Sequence, residues 1–369
     1  EDESIGAKAA DEVLLNNAYF NLLYTKGDFT VGIRYESYLN AKADYDPEFR
    51  GNGIPYRFAS YNKDGLEITA GSFYEQFGSG LIFRSYEEKN LGLDNSMDGI
   101  RLKYSPINGM YFKTFIGKSR THFTYADGIF RGIDGELNIN DLFRFESKTK
   151  AIIGGSFVSR YQKRENIIFN IPQNVSAYAS RLNMIRGGWN YFGEFAYKIN
   201  DPANSLSESN MNYASGSAFI NSIIFSKKGF GVSAEMHRTD NMTFKSDRDK
   251  DGKAFLINYI PTLSKPHAYS LLALYPCATQ AGGEFGVQFD IFYKFQKGTL
   301  LGGEYGTKLD INYSRINGLN GGASFLNDHK EHIPILISIK DESLYFNDLN
   351  LDNELNIIDI LIIVDLILS

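Results

Sequence analysis

Cysteine, tryptophan, proline and histidine are all scarce in this 369-residue chain: one Cys, one Trp, nine Pro and five His. A lone Cys277 excludes an intramolecular disulfide framework, and its distance from the N-terminus excludes a lipid-anchor role. Long apolar runs are missing too. A membrane helix needs roughly 18 to 20 uninterrupted apolar residues, and the longest greasy stretch, Ile357 to Leu368, is broken by Asp359 and Asp365. The net charge of -6 is mild and gives no reason to expect a nucleic-acid partner. No nucleophile elbow, P-loop or dinucleotide fingerprint occurs. His329 and His332 have the spacing of a metal pair, but Pro334 disfavours a helix there and a solvated loop is the simpler reading. The chain begins at Glu1 with no leader, which reads as a mature exported protein.

What the chain has is Tyr (24), Phe (28) and Gly (35). These suit long twisted strands, tight turns and aromatic girdles. Phe285, Val287, Phe289, Ile291, Tyr293 and Phe295 share one face of a period-two segment, opposite Glu284, Gly286, Gln288, Asp290 and Lys294, with Phe292 the one intruder. After a turn at Gln296–Thr299, Leu301, Tyr305, Leu309, Ile311 and Tyr313 repeat the pattern against Glu304, Lys308, Asp310 and Asn312. Strand side chains alternate between faces, so this is a hairpin with one greasy and one wet side. The same alternation recurs around Val31, Ile68, Leu102, Tyr191 and Val232.

Short turns (Tyr24–Asp28, Asn62–Gly65, Ser105–Gly109, Arg186–Gly188, Ser226–Gly229) alternate with longer polar connections at 40–54, 87–97, 118–127, 163–175, 199–215 and 239–253. Strands of about ten residues, long for a soluble sheet, suit a tilted membrane crossing. The expectation is an all-β fold: an antiparallel transmembrane β-barrel of roughly 14–16 strands over residues 12–340. Residues 1–11 read as an N-terminal tail and 341–369 as a short loop-helix tail, with closure of the barrel left open. A large soluble β-sandwich or solenoid is the alternative.

Several segments, Val31-Gly-Ile-Arg-Tyr-Glu-Ser-Tyr-Leu39, Phe73-Tyr-Glu-Gln-Phe-Gly-Ser-Gly-Leu81, Gly128-Ile-Phe-Arg-Gly-Ile-Asp-Gly-Glu136 and Leu274-Tyr-Pro-Cys-Ala-Thr-Gln280, resemble an uncharacterised family of outer-membrane β-barrels from Bacteroidota. The resemblance covers residues 12 to 315. It implies the barrel fold and the bacterial outer membrane, with membrane lipid as a partner, and it brings no reaction.

The wet row carries both charge signs: Glu36, Glu67, Glu194, Glu235, Glu284, Asp290, Glu304 and Asp310 against Arg34, Arg101, Lys103, Lys198, Lys294 and Lys308. Two readings stand side by side, a hydrated pore for small solutes and a paired charge network that fills the lumen. Gly78-Ser79-Gly80 reads first as a glycine-bent strand end, with an inward-folded constriction loop as the alternative. Asp247, Asp249, Asp251 and Gly252 begin like a calcium loop, but Asn258 breaks the motif and a solvated external loop is expected. In the tail, Asp348, Asn350, Asp352, Asn356 and Asp359 have the oxygen spacing of a twelve-residue calcium loop and resemble half a dockerin, although Asn353 stands where the turn Gly belongs. That tail is a candidate calcium site and a candidate contact for a protein partner; no cofactor is otherwise required. The leading expectation is a passive channel or small-solute transporter, the second a non-conducting binding or assembly platform acting through long external loops or the C-terminal tail, and the third an outer-membrane hydrolase built from loop residues.

Overall fold

The computed structural model describes residues 16–39, 47–89, 92–163, 171–201, 214–250, 255–263, 279, 282–319 and 336–341. The first hairpin shows why these residues form strands. In β1 (Asn16–Lys26) and β2 (Phe29–Leu39) the register runs unbroken from Asn16 opposite Leu39 to Lys26 opposite Phe29. Along β2, Phe29, Val31, Ile33 and Tyr35 are exposed while Gly32, Arg34 and Glu36 are buried. The apolar row therefore faces out and the charged row is covered, the reverse of a soluble sheet.

The chain continues through β3 (Gly51–Lys63), β4 (Leu66–Phe73), the two-residue strands β5 (Glu87–Glu88) and β6 (Leu93–Asp94), β7 (Met97–Tyr104), β8 (Met110–Thr121), β9 (Thr124–Asn138), β10 (Thr149–Tyr161), β11 (Asn174–Arg186), β12 (Trp189–Lys198), β13 (Gly216–Lys227), β14 (Phe230–Asp240), β15 (Gly283–Phe295), β16 (Thr307–Gly318) and β17 (Leu336–Asp341). Fifteen strands neighbour one another in sequence order, and β5 pairs only with β6 in a small hairpin of its own. This is an all-β antiparallel meander. Its one described α-helix, α1 (Ile139–Phe143), caps the β9–β10 connection, with the Asn138 side chain accepting from the Asp141 N–H. No described helix is long and apolar enough to cross a membrane.

The chain divides into two compact units. The first comprises residues 1–182, 194–218 and 241–260; the second comprises 183–193, 219–240 and 261–369.

The short turns at Gly27–Asp28, Asp64–Gly65, Gly187–Gly188 and Lys228–Gly229 fall where expected. Two connections differ. The loop expected at 118–127 is a tight turn at His122–Phe123, because β8 and β9 pair out to Thr121 opposite Thr124 after a register shift near Lys118. The turn expected at Gln296–Thr299 extends to Gly306, closed by hydrogen bonds from Gly298 N–H to Gly303 C=O (2.7 Å) and from Gly306 N–H to Gly302 C=O (2.7 Å). Glu304 therefore lies in this turn, not on a strand row, and Leu301 and Tyr305 are turn residues as well. The tail positions Asp348, Asn350, Asp352, Asn356 and Asp359 and the pair His329 and His332 lie outside the described residues.

Candidate functional site

Register sorts the charged side chains onto one row. In the first unit Arg34, Glu36, Glu67, Arg101, Lys103, Glu194 and Lys198 lie on the face opposite the exposed apolar row. In the second unit Glu235, Glu284, Asp290, Lys294, Lys308 and Asp310 do the same. Their environments differ sharply. Glu36, Glu194, Lys198 and Glu284 are buried, whereas Lys294 is exposed.

The connection from β4 to β7 covers this row in the first unit. Residues 74–89 and 92–96 do not leave the sheet as a bent strand end; they fold over its charged face. Phe77, Leu81, Ile82 and Phe83 are each 0% exposed. Phe83 packs on Phe115 of β8 at 4.4 Å between ring centres, and Phe77 lies 5.5 Å from the same ring. Gly132 permits this approach, since a Cβ there would meet Phe115 at 2.3 Å and Phe77 at 2.8 Å.

The tip of the loop reaches β12. Glu194 Oε2 accepts the Ser79 N–H at 2.8 Å. Gly78 has φ +54°, and a Cβ on it would stand 2.4 Å from Glu194 Oε1. Both the left-handed backbone and the carboxylate contact thus select glycine. At the loop's start, Lys113 Nζ contacts Glu75 Oε1 (3.1 Å) and the Gln76 carbonyl (3.1 Å), while Lys103 Nζ holds Glu75 Oε2 (3.1 Å). Arg101 donates to the Tyr74 carbonyl (2.9 Å) and to Glu67. At the loop's end, Asp94 Oδ2 receives Arg34 (2.5 Å) and Arg120 (2.6 Å), and both arginines also pair with Glu36.

A second segment, described at residues 241–250 and 255–260, packs beside it. Lys245, Ser246, Asp247 and Arg248 are buried, so the start of the expected solvated loop is covered, while Asp249 and Lys250 are exposed and Asp251 and Gly252 lie outside the described residues. Arg160 explains the placement: its guanidinium donates to the Lys245 carbonyl (2.7 Å) and pairs with Asp201 (2.5 Å). Lys198 Nζ donates to the Thr243 carbonyl (2.5 Å). The two segments are stitched together by backbone bonds from Arg84 N–H to Ile257 C=O (2.6 Å) and from Tyr259 N–H to Gly80 C=O (2.9 Å). The Arg84 guanidinium sits over the rings of Tyr86 and Tyr259, a cation–π contact on both.

Charge and burial compete at the loop carboxylates. Burial alone pushes Glu75 up, but Lys113 and Lys103 outweigh it and hold the carboxyl below its ordinary range. Asp201 behaves alike: burial raises it, and Arg160 with Lys198 brings it below normal. Glu87 goes the other way, burial outweighing Arg34 and leaving it raised. These are docking contacts; among the described residues no group of three His, Cys, Asp or Glu is placed to hold a metal ion.

The second unit has its own polar row. His237 Nε2 and Glu284 Oε1 are 2.5 Å apart and buried. Asp290 receives the Gln288 and Asn312 side-chain amides, each at 2.8 Å, and Ser314 Oγ donates to Gln288 (3.0 Å).

Sequence reasoning passed over Glu75, Asp94, Arg120, Asp134, Arg160, Arg181 and Asp201. Two of them were within reach. Ser156, Val158 and Arg160 alternate like any other wet row, Arg160 lying opposite Phe130, and Arg181 alternates with Ala179 and Ala177 on β11. Glu75, Asp94 and Asp201 sit in connections, where no period marks them.

A family model described as a family of unknown function, DUF6029, matches residues 1–359. No curated protein matches. Solved structures similar to this chain include a BenF-like porin from Pseudomonas fluorescens Pf-5, at 12% identity over 83% of this chain and 88% of that one, with a TM-score of 0.37. Pseudomonas aeruginosa OccK2 in complex with glucuronate is 10% identical over 83% of this chain and 88% of that one, with a TM-score of 0.37. Pseudomonas aeruginosa OpdK with vanillate is 11% identical over 81% of this chain and 87% of that one, with a TM-score of 0.37.

Proposed function

We propose a function for a chain that belongs to DUF6029, a family of unknown function: it is an outer-membrane β-barrel that passes small solutes without catalysing a reaction. The observation that carries this reading is the inversion of the two strand rows. Phe29, Val31, Ile33, Ile68, Ile100, Ile116, Ile133, Phe289 and Ile291 stand exposed, while Arg34, Glu36, Arg160, Lys198 and Glu284 are covered. In water each exposed large side chain forgoes about 1.5–3 kcal/mol of burial. Lipid removes that cost, and antiparallel strands satisfy their backbone groups within the sheet.

Transport is the reading of the covered row. Charges of both signs, mostly paired, leave a weak field that favours small neutral or weakly cationic solutes, and the covered stretches around Phe77–Phe83 and Lys245–Arg248 act as the constriction. The refolded full chain in a planar bilayer is expected to give discrete conductance steps, and a folded, heat-modifiable protein that stays silent would overturn the channel. One observation favours a second reading. Phe77, Leu81, Ile82 and Phe83 are packed without exposure, as a permanent plug would be, and silence in the bilayer selects this non-conducting platform.

A further inference from the structure

The exposed row is apolar along most of its length, but one cluster on it is charged. Arg57 of β3 lies level with Ile33, and its backbone N–H donates to Ser72 Oγ on β4. Ser72 stands opposite Asp98, Asp98 opposite Lys118, and Lys118 opposite Ile129, so these positions form one rung across five strands. The Arg57 guanidinium pairs with Asp98 (3.2 Å) and donates to the Tyr125 hydroxyl (3.1 Å), which donates in turn to Asp98. Arg131, opposite Ile116, is the diagonal neighbour of Lys118, a separation of about 7–8 Å between such positions. Among the described residues neither Lys118 nor Arg131 pairs with an acid. Asp127, on the same row, is one step nearer the loops.

The depth of the cluster gives it meaning. One step toward the short turns from the Asp98–Lys118 rung stand Ile100 and Ile116, level with Arg131, and a further step in stands Ile133, all three isoleucines exposed. Ile133 lies opposite Phe157, whose ring is 5.1 Å from that of Tyr178. The cations therefore sit where the apolar band ends and just above an aromatic pair, the level of lipid headgroups. They are toward the strand ends that carry the β4–β7 connection, away from the turn at Asp64–Gly65, so on the outward side of the membrane. Arg57 and Arg131 offer planar forks of N–H donors and Lys118 a compact ammonium, the groups that hold phosphate. Asp98 is already occupied by Arg57 and Tyr125 and serves to aim the guanidinium.

We infer that Arg57, Lys118 and Arg131, braced by Asp98 and Tyr125, form a binding site on the outer wall for the phosphate of an outer-leaflet glycolipid. The site rests on the outer-membrane reading. The test is native mass spectrometry of the refolded full chain in mild detergent, with a phosphorylated glycolipid and its dephosphorylated form as probes. The wild-type chain is expected to retain the phosphorylated form selectively. Lys118→Gln with Arg131→Gln should weaken retention about 25-fold, at about fivefold per cation, while Arg131→Lys alone largely keeps it. Equal retention of both probes, or an unchanged affinity in a heat-modifiable double variant, overturns the site. Inorganic phosphate binding as well as the lipid overturns it too, by showing a free-anion site. A wild-type chain that never folds in detergent sinks the membrane reading itself.

Discussion

At the scale of single residues, the loop over the covered row is held by a few carboxylates whose protonation is set by their neighbours. Glu75 is the clearest. Its folded-state pKa is depressed by Lys113 and Lys103 in spite of burial, so its contribution is complete above the ordinary carboxylate pKa of about 4.3 and disappears as pH falls through the lower folded value. Acidification below about pH 4 should therefore loosen residues 74–96 before the strands melt, read as faster amide exchange at Phe77 and Phe83. Glu75→Gln should loosen the same loop at neutral pH, by about 1–3 kcal/mol, and abolish the acid dependence; a loop that still loosens with acid in that variant would assign the effect elsewhere. Gly78 tests the other end. Gly78→Ala brings a Cβ to 2.4 Å from Glu194 Oε1 on a backbone at φ +54°. The loop tip is expected to lift from β12, exposing Arg84 to trypsin; an equally resistant variant would show that the tip does not depend on this contact.

At the scale of elements, strands and connections were legible to different degrees, for a physical reason. A strand declares itself locally: Phe285 to Phe295 alternates because the sheet's pleat imposes period two, and β15 spans Gly283–Phe295. The covered charges on those strands followed from the same period. A connection that folds back over the sheet has no such signature. Its apolar residues Phe77, Leu81, Ile82 and Phe83 find partners far away in the chain, and the Ser79–Glu194 bond joins residues 115 apart. Nothing near Ser246 announced that Arg160, 85 residues distant from Lys245, would hold the second segment. Glu304 misled in the opposite direction, because Leu301 and Tyr305 imitate alternation inside a turn closed by backbone bonds. If 74–96 is the constriction, replacing it with a short glycine-serine linker should enlarge the single-channel conductance several-fold while leaving the folded, heat-modifiable band in place. An unchanged conductance would move the constriction to another element.

At the scale of the whole molecule, the two strand rows should tolerate change in opposite ways, because each faces a different medium. Ile133 is 53% exposed on β9, flanked by Thr114 on β8 and Phe157 on β10. For a soluble sheet, Ile133→Arg would be close to neutral or would improve solubility, since a surface charge costs almost nothing in water. For a sheet in lipid, the same change places a guanidinium in hydrocarbon, at a cost of about 2–4 kcal/mol near the midplane. The covered row reverses the order: Val158, wholly buried opposite Gly132 of β9, should lose more on conversion to Asp in either medium, through desolvation of an unpaired charge. Measuring the unfolding free energy of both variants in lipid vesicles separates the possibilities. Destabilisation by Ile133→Arg that lessens when the substitution is moved to Ile129→Arg, on the rung of Lys118 at the polar edge of the band, is the depth dependence that only a membrane imposes. An Ile133→Arg variant as stable as the parent would return the exposed row to water, and with it the whole case for a barrel in a bilayer.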